Sequence, residues 1–264
     1  MQQPIWNNLT PAFRREIEVR NSLTLAKLTP SVVTYQVPNR QLAIDWEHVI
    51  LLKYCPGGSS RRGATIIWNA HVGFVSTDVS PITLIDRLEQ VSPVTWQDMQ
   101  AYTDISQGRR PLSYVLGPLQ LIPIEQKKSQ YSWLNGRYVQ TINPMTLLLQ
   151  EKQAMVALKP GPEVLVQDSA ERLTGKWKLT NKIRRLQQIN REYNNELYGS
   201  HYLVNVQVPP ELLKFRRRVQ YLTVLYLEKR LPVSWTADEM NEIIDEARHN
   251  ASWPLDDLGP LEED

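Results

Sequence analysis

Apolar residues recur at steps of three and four from Leu179 to Leu197, a period that predicts an amphipathic α-helix of about five turns. The stripe consists of Leu179, Ile183, Leu186, Ile189, Tyr193 and Leu197. A second stripe follows the helix-starting run Pro209, Pro210 and Glu211. It consists of Leu212, Phe215, Val219, Leu222 and Tyr226. Each stripe predicts a helix that packs one face against a core.

Shorter patterns predict the remaining elements. Thr-Pro and Ser-Pro starts predict a helix over residues 11–19 and two more within residues 80–102. Alternating or β-branched runs predict antiparallel strands at residues 32–37, 48–54, 64–75, 112–116, 119–124, 132–140, 154–158 and 164–167. Residues 234–250 have the pattern of an acidic helix. The expected fold class is α+β, an antiparallel β-rich body followed by C-terminal amphipathic helices.

The side of the long helix opposite its stripe carries guanidinium and amide groups, which can form paired hydrogen bonds with phosphates and base edges. These residues are Asn181, Arg184, Arg185, Gln188, Arg191 and Asn195. Between Arg172 and Arg191 the chain has seven Lys or Arg and no Asp or Glu, whereas an ordinary exposed helix mixes both signs. The face therefore indicates a nucleic-acid surface, with a solvated outer face as the alternative.

Charge is divided unequally along the chain. Its 264 residues include 30 Lys or Arg and 28 Asp or Glu, for a net charge of +2. Residues 236–264 hold ten of the acids and a single base, Arg248, so the first 235 residues carry a net +11. A body this basic attracts a polyanion. Its hydrophobic fraction of 42% is sufficient for a sizeable core.

Groups that could catalyse a reaction do not form a recognisable constellation. The four histidines (His48, His71, His201 and His249) lack metal-binding spacing, and Cys55, the only cysteine, has no paired histidine signature. The loop GGSSRRG lacks the ending of a phosphate-binding loop. We therefore expect no catalytic residue, no metal site and no cofactor. A metal-dependent nuclease remains an alternative if Asp45, Asp78, Asp86 or Asp168 pair on folding.

The sequence also predicts a cytoplasmic protein without a membrane partner. A single cysteine excludes an intrachain disulfide and agrees with a reducing compartment. No apolar run approaches the length needed to cross a bilayer, and the first residues lack the pattern of a secretory signal.

The leading hypothesis is a sequence-selective DNA-binding regulator. Its candidate DNA-binding residues are Lys182, Arg184, Arg185, Gln188, Arg191, Asn195, Arg109, Arg110, Lys214 and Arg217, with Arg61, Arg62, Lys127 and Lys128 as further basic loop positions. We expect an N-terminal arm at residues 1–34, a β-rich DNA-binding domain at residues 35–199 and a helical extension with an acidic tail at residues 200–264. The alternative is a protein-interaction or structural module that docks an acidic partner or its own acidic end.

Several segments between about residues 35 and 191 occur in the order and spacing of a known family. They are Tyr35–Val37 with the strand ending at Tyr54, SPITLIDR at 80–87, Arg110-Pro111 with PLQLIP at 118–123, Trp133-Leu134, and GPEVLVQDS at 161–169. In these segments the chain resembles the ComK family of competence transcription factors. Residues 91–102 depart from that family, because they lack the Gly-Ser and Gly-Arg pairs that follow its Asp-Arg segment.

The resemblance implies a bacterial transcription activator that binds AT-rich boxes of double-stranded DNA as a homo-oligomer, largely through the minor groove. It also implies that a proteolytic adaptor sets the abundance of the protein. The Arg, Asn and Gln side chains of the long helix suit a narrow A·T minor groove. The acidic C-terminal segment is suited to contact a partner such as RNA polymerase.

Removal of residues 236–264 tests whether the acidic end competes with DNA for the basic body. Ten acids tethered to a +11 body are held near it at high local concentration, so a chain that ends at Trp235 should bind non-specific duplex more tightly. The gain should be larger at 0.01 M salt than at 0.1 M, where the Debye length falls from about 30 Å to about 10 Å. Fluorescence anisotropy measures both affinities, and equal values at the lower salt would exclude competition.

Overall fold

The computed structural model describes residues 6–56, 64–108, 110–127, 130–145, 153–159, 161–199, 208–230, 236, 238, 239 and 242. Within them are the helices α1 (Pro11–Arg20), α2 (Pro81–Val91), α3 (Trp96–Ile105), α4 (Ala170–Gly199) and α5 (Pro210–Arg230). None of these helices is both long enough and apolar enough to span a bilayer. The five helices confirm those expected in these parts of the chain, whereas the acidic helix expected at residues 234–250 lies almost wholly outside them.

Local sequence explains where α2 and α3 begin. The hydroxyl of Ser80 accepts a hydrogen bond from the amide of Thr83 at 3.4 Å, and Pro81 follows at the first helical position. Thr95 and Asp98 form a reciprocal capping box at the start of α3. Both arrangements satisfy backbone donors that a helix N-terminus leaves without partners.

Ten strands form two sheets. They are β1 (Ser22–Thr24), β2 (Val49–Cys55), β3 (Ala64–Asn69), β4 (Gly73–Thr77), β5 (Tyr114–Leu116), β6 (Leu119–Lys127), β7 (Gln130–Asn135), β8 (Val139–Pro144), β9 (Ala154–Leu158) and β10 (Glu163–Val166). The larger sheet has the order β4-β3-β2-β7-β6-β5 and is antiparallel throughout. The smaller has the order β1-β10-β9-β8, with one parallel pair, β1 and β10. The expected α+β class is confirmed.

One strand prediction is wrong, and two others need division. Residues 32–37 form only the isolated bridges Leu9–Val33 and Gln36–Ser76. Pro30 opens a 3-10 turn at the start of this segment and Pro38 ends it, and proline lacks the amide that a sheet ladder requires. The runs at 64–75 and 132–140 are each interrupted by a turn, so they supply β3 and β4 in one case and β7 and β8 in the other.

The six-stranded sheet is the middle of three layers. One of its faces packs against the four-stranded sheet and α1 through a core that includes Trp68 and Phe74. Its other face packs against α2, α3, α4 and α5 through a second core that includes Leu52 and Tyr114. The central strand β2 is buried along all seven residues, as is typical of a strand covered on both faces.

The expected N-terminal arm is instead part of the body, as far as residues 6–34 are concerned. Leu23 and Leu25 are fully buried where β1 joins the four-stranded sheet. Trp6 stacks on Trp68 at a ring-centroid distance of 5.1 Å. The segment packs against the body because its few apolar side chains complete the core between the sheets.

An ion pair lies buried between the two sheets. Lys53 Nζ donates to Glu125 Oε2 at 2.9 Å, and both side chains are 2% exposed. Lys53 alternates along β2 with Leu51 and Cys55, which belong to the core between the sheets. The second oxygen of Glu125 accepts a hydrogen bond from the amide of Gln167 at 2.8 Å. One carboxylate therefore joins β2, β6 and the segment that follows β10.

A bulge in β6 allows Glu125 to occupy this place. The register against β7 shifts between Ile124 and Gln126, and the φ angle of Glu125 is 38°, which non-glycine residues seldom adopt. Ile124 already faces the core between the sheets, so strict alternation would aim Glu125 away from it. The extra residue of the bulge brings both side chains to the same face.

A double-mutant cycle tests the ion pair. Lys53→Met and Glu125→Gln should each lower the unfolding free energy by about 3–5 kcal/mol, because each leaves a buried charge without its partner. The double variant should lose less than either single one, since it leaves no buried charge and the carboxamide introduced at position 125 can still accept the hydrogen bond from the Gln167 amide. Urea unfolding measures all four proteins.

The exposed pair Arg14 and Glu18 on α1, 2.8 Å apart, is a matched control. The equivalent cycle there should change stability by less than about 1 kcal/mol. Additive losses at Lys53 and Glu125 would contradict the account, because they would show that the two charges do not compensate each other.

Candidate nucleic-acid interface

Polar contacts fix α4 against the edge of the six-stranded sheet. Gln187 Nε2 donates to the carbonyl of Val115 at 2.7 Å, and Gln187 Oε1 accepts from the amide of Gly117 at 3.2 Å. The indole Nε1 of Trp177, also on α4, donates a hydrogen bond to the carbonyl of Gly136 at 3.1 Å. These contacts extend over the central turns of α4, so the helix presents its other side in a fixed orientation.

The apolar stripe of α4 faces the core as its period predicts. Ile183 and Tyr193 are buried, and Leu179, Leu186 and Ile189 are partly buried. The side chain of Leu197 lies outside the described residues. Against this stripe pack α3 and α5, where Tyr102 stacks on Phe215 at a centroid distance of 4.0 Å. Burial there raises the pKa of Tyr102 to about 12, so this hydroxyl stays protonated over the physiological range.

Three arginines lie on the exposed side of α4, and we call Arg184, Arg185 and Arg191 the arginine face. All three are exposed. Within the described parts of the chain, no carboxylate lies within ion-pair distance of any of them. A guanidinium stays charged at any physiological pH. The arginine face therefore presents three fixed positive charges on a rigid support.

Other predicted residues of this side are engaged within the protein. Gln188 Nε2 donates to Glu192 Oε1 at 2.7 Å, which places one acid beside the arginine face. Asn181 Nδ2 donates to the carbonyl of Trp177 at 3.1 Å. Lys182 is exposed, but its Nζ lies 3.4 Å from the carbonyl oxygen of Ser106 and donates to it. The side chain of Asn195 lies outside the described residues.

Helix α5 carries three consecutive arginines, two of which contact neighbouring helices. The Arg216 guanidinium lies 5.3 Å from the ring centroid of Tyr193 on α4, and Arg218 Nε donates to Asp104 on α3 at 2.7 Å. Arg217, which lies between them, is exposed, as is Lys214. Neither has an ion-pair partner among the residues that the structure describes. The two predicted positions on α5 are therefore available to a ligand, while their neighbours hold the helix in place.

The predicted basic loop positions contribute less. Arg110 is exposed and donates to Gln100 Oε1 at 3.3 Å, and its peptide bond to Pro111 is cis. The remaining loop positions fall outside the residues or side chains that the structure describes; they are Arg61, Arg62, Arg109, Lys127 and Lys128. The interface that can be described thus rests on α4 and α5.

The N-terminal turns of α4 contain a lysine that the sequence did not single out. Lys176 Nζ donates to the carbonyl of Pro123 at 2.5 Å. Burial, assisted by the nearby Arg172, lowers the pKa of Lys176 to about 8 from 10.5, although Asp168 opposes the shift. Arg172 itself pairs with Asp168 at 2.7 Å. Lys176 is therefore bound to the sheet and Arg172, although exposed, is paired with an acid, so neither belongs to the arginine face.

The structure also brings together three potential metal ligands whose spacing in the sequence does not suggest a common site. Asp45, His48 and His71 meet beside β2 and β3. The signal that could have found them is the pairing of these two strands, which places the turn before β2 next to the turn after β3. Their geometry does not involve α4 or α5.

Comparisons with protein-family models, curated proteins and solved structures found no match. The resemblance to the ComK family stays a prediction. Function is therefore inferred from the geometry of the arginine face.

The pKa of Lys176 predicts how stability changes in alkaline solution. The folded protein releases the Lys176 proton near pH 8, whereas the unfolded chain keeps it until about pH 10.5. Because the unfolded state binds more protons in this window, the unfolding free energy should rise between pH 8 and about 10.5. We expect a gain on the order of 2 kcal/mol relative to Lys176→Met, after allowance for solvent screening.

Urea unfolding at several pH values measures this difference, and groups that titrate in both proteins cancel in the comparison. Lys178→Met on the exposed side of α4 is the control and should keep the rise. If wild type and Lys176→Met depend on pH in the same way, the Lys176 amine is not destabilised by burial.

Proposed function

We propose that this chain binds double-stranded DNA through the arginine face of α4 and acts as a transcription regulator. The observation that carries the proposal is the exposure of three arginines without an acidic partner among the described residues. Guanidinium groups bind phosphates in a planar, two-bond geometry and lose their hydration more readily than ammonium groups. A DNA duplex carries closely and regularly spaced phosphates along its length.

The spacing of the face supports a duplex as the ligand. Arg184 and Arg191 are separated by seven residues, which corresponds to about 10.5 Å along the helix axis and almost two full turns. Their side chains therefore leave the helix on nearly the same side, with Arg185 beside them. This separation lies between the widths of the minor groove, about 6 Å, and the major groove, about 12 Å. The arginines can thus reach phosphates on both borders of one groove.

Lys214 and Arg217 on α5 are proposed to add phosphate contacts. Helix α5 packs on α3 and α4 through Leu212 and Phe215, which leaves both cations exposed. Phosphate contacts position a protein on DNA but do not read sequence. We propose that selectivity comes from the preference of arginine for the narrow, electronegative minor groove of A·T-rich DNA. The ComK resemblance supports the same choice and adds assembly on DNA as a homo-oligomer.

Replacement of Arg184, Arg185 and Arg191 by Ala tests the proposal. The variant should bind duplex much more weakly, and the slope of log affinity against log salt should become shallower by about 2.7, or about 0.9 for each lost phosphate contact. Fluorescence anisotropy with AT-rich and GC-rich duplexes across a salt series measures both changes. The melting temperature should fall by less than about 4 °C, because exposed side chains contribute little to stability.

A charge-matched variant is the control. Arg15, Arg40 and Lys159 are exposed cations on other elements, and their joint replacement by Ala removes the same net charge. The control should retain most of the affinity. Equal losses of duplex affinity in both variants would show that net charge alone causes the effect, which would contradict the assignment of binding to the arginine face. Tight binding to an acidic polypeptide, with no binding to duplex at low salt, would favour the protein-interaction alternative and contradict the proposal.

A further inference from the structure

Two turns at one end of the six-stranded sheet carry potential metal ligands. Asp45 and His48 lie in the turn that leads into β2, and His71 lies in the hairpin between β3 and β4. Because β2 and β3 are antiparallel, with Val49 opposite Asn69, the two turns adjoin. The arrangement is independent of the DNA-binding surface proposed on α4 and α5.

The three side chains are close enough to share one ion. His48 Nδ1 lies 2.7 Å from Asp45 Oδ2, and the rings of His48 and His71 have centroids 3.7 Å apart. Each of the three offers one ligand atom within 4.8 Å of the other two. A zinc ion holds imidazole nitrogens and carboxylate oxygens at about 2.0–2.2 Å, so small side-chain rotations close the set around a cation.

A buried amide holds the backbone of the cluster in place. Asn69 is 4% exposed, and its Nδ2 donates to the carbonyl of Asp45 at 3.2 Å. Its Oδ1 accepts from the amide of His71 at 2.8 Å. The amide of Ala70 also donates to the carbonyl of His48 at 2.8 Å. The turns that carry the ligands are therefore ordered by contacts that do not use the ligands themselves, which is how a prepared metal site is supported.

The chemistry of the cluster selects the class of ion. We propose that Asp45, His48 and His71 bind a divalent transition-metal ion, with zinc as the expected occupant. Two imidazoles and one carboxylate suit zinc, nickel or copper, whereas magnesium and calcium prefer oxygen ligands alone. The side chains of His48 and Asp45 are 28% and 51% exposed, so an ion can enter from solvent. Three protein ligands leave one tetrahedral position for water.

Binding has a direct structural consequence. The ion joins the turn before β2 to the turn after β3, and so fastens the end of the central strand pair. Because only the folded chain brings the three ligands together, zinc should raise the melting temperature of the whole protein. This proposal replaces the expectation from sequence spacing that the histidines form no metal site.

Isothermal titration of the full-length, chelator-treated protein with zinc chloride tests the proposal. We expect one zinc ion per chain. His48→Ala and His71→Ala should each weaken affinity at least about tenfold, and the increase in melting temperature with zinc should disappear. Asp45→Asn should weaken binding, whereas Glu47→Gln, an exposed acid in the same turn, should not. Joint replacement of His201 and His249 by Ala is the matched histidine control and should leave binding unchanged.

A measurement on the wild-type protein avoids any loss of folding in the variants. NMR of the four histidine rings during zinc titration should show changes in the signals of His48 and His71 only. Absence of zinc binding to the wild type would overturn the proposal. So would binding that survives the loss of His48 and His71, or ring signals that change only for His201 and His249, because the ion would then lie elsewhere.

Discussion

The buried charge pair of Lys53 and Glu125 is the constraint around which the two sheets are joined. A carboxylate and an ammonium that are both 2% exposed must compensate each other, because either one alone is costly to bury. Glu125 also holds the amide of Gln167, immediately before α4 begins at Ala170. The pair therefore determines where the chain leaves the four-stranded sheet and, with it, where the long helix starts on the six-stranded sheet.

Contacts on one side of α4 hold the helix against the sheet and against α3 and α5. The arginines on its other side take no part in this packing. Gln187 and Trp177 bind backbone groups of the sheet, and the apolar stripe packs with α3 and α5. The arginine face contributes no described contact to this packing. The three arginines make no stabilising contact within the described parts of the chain, yet they hold three like charges close together. This pattern is expected of a surface that binds an anionic ligand. On α5, Arg216 contacts Tyr193 and Arg218 binds Asp104, whereas Arg217 has no ion-pair partner among the described residues.

Sequence patterns predict the helices well because α4 and α5 carry apolar stripes at helical spacing and the caps of α2 and α3 are local. They fail where the outcome depends on residues far apart in the chain. Nothing near Lys53 indicates that it is buried, since its partner Glu125 lies on β6 and faces inward only because of a bulge. His48 and His71 meet only once β2 and β3 pair. The exposure of Arg184, Arg185 and Arg191 could be predicted, but the engagement of Gln188 by Glu192 could not, because a propensity pattern does not determine which side-chain hydrogen bonds form.

The most direct test of the central claim is site-specific photo-crosslinking to duplex DNA. A photoreactive side chain at position 188 lies between Arg184 and Arg191 on α4, and the same group at position 15 on α1 reports on an exposed basic position elsewhere. The account predicts crosslinks from position 188, strongest with AT-rich duplex, and few from position 15. Crosslinks from position 15 alone, or equal yields from both positions, would contradict the assignment of the DNA surface to the arginine face of α4.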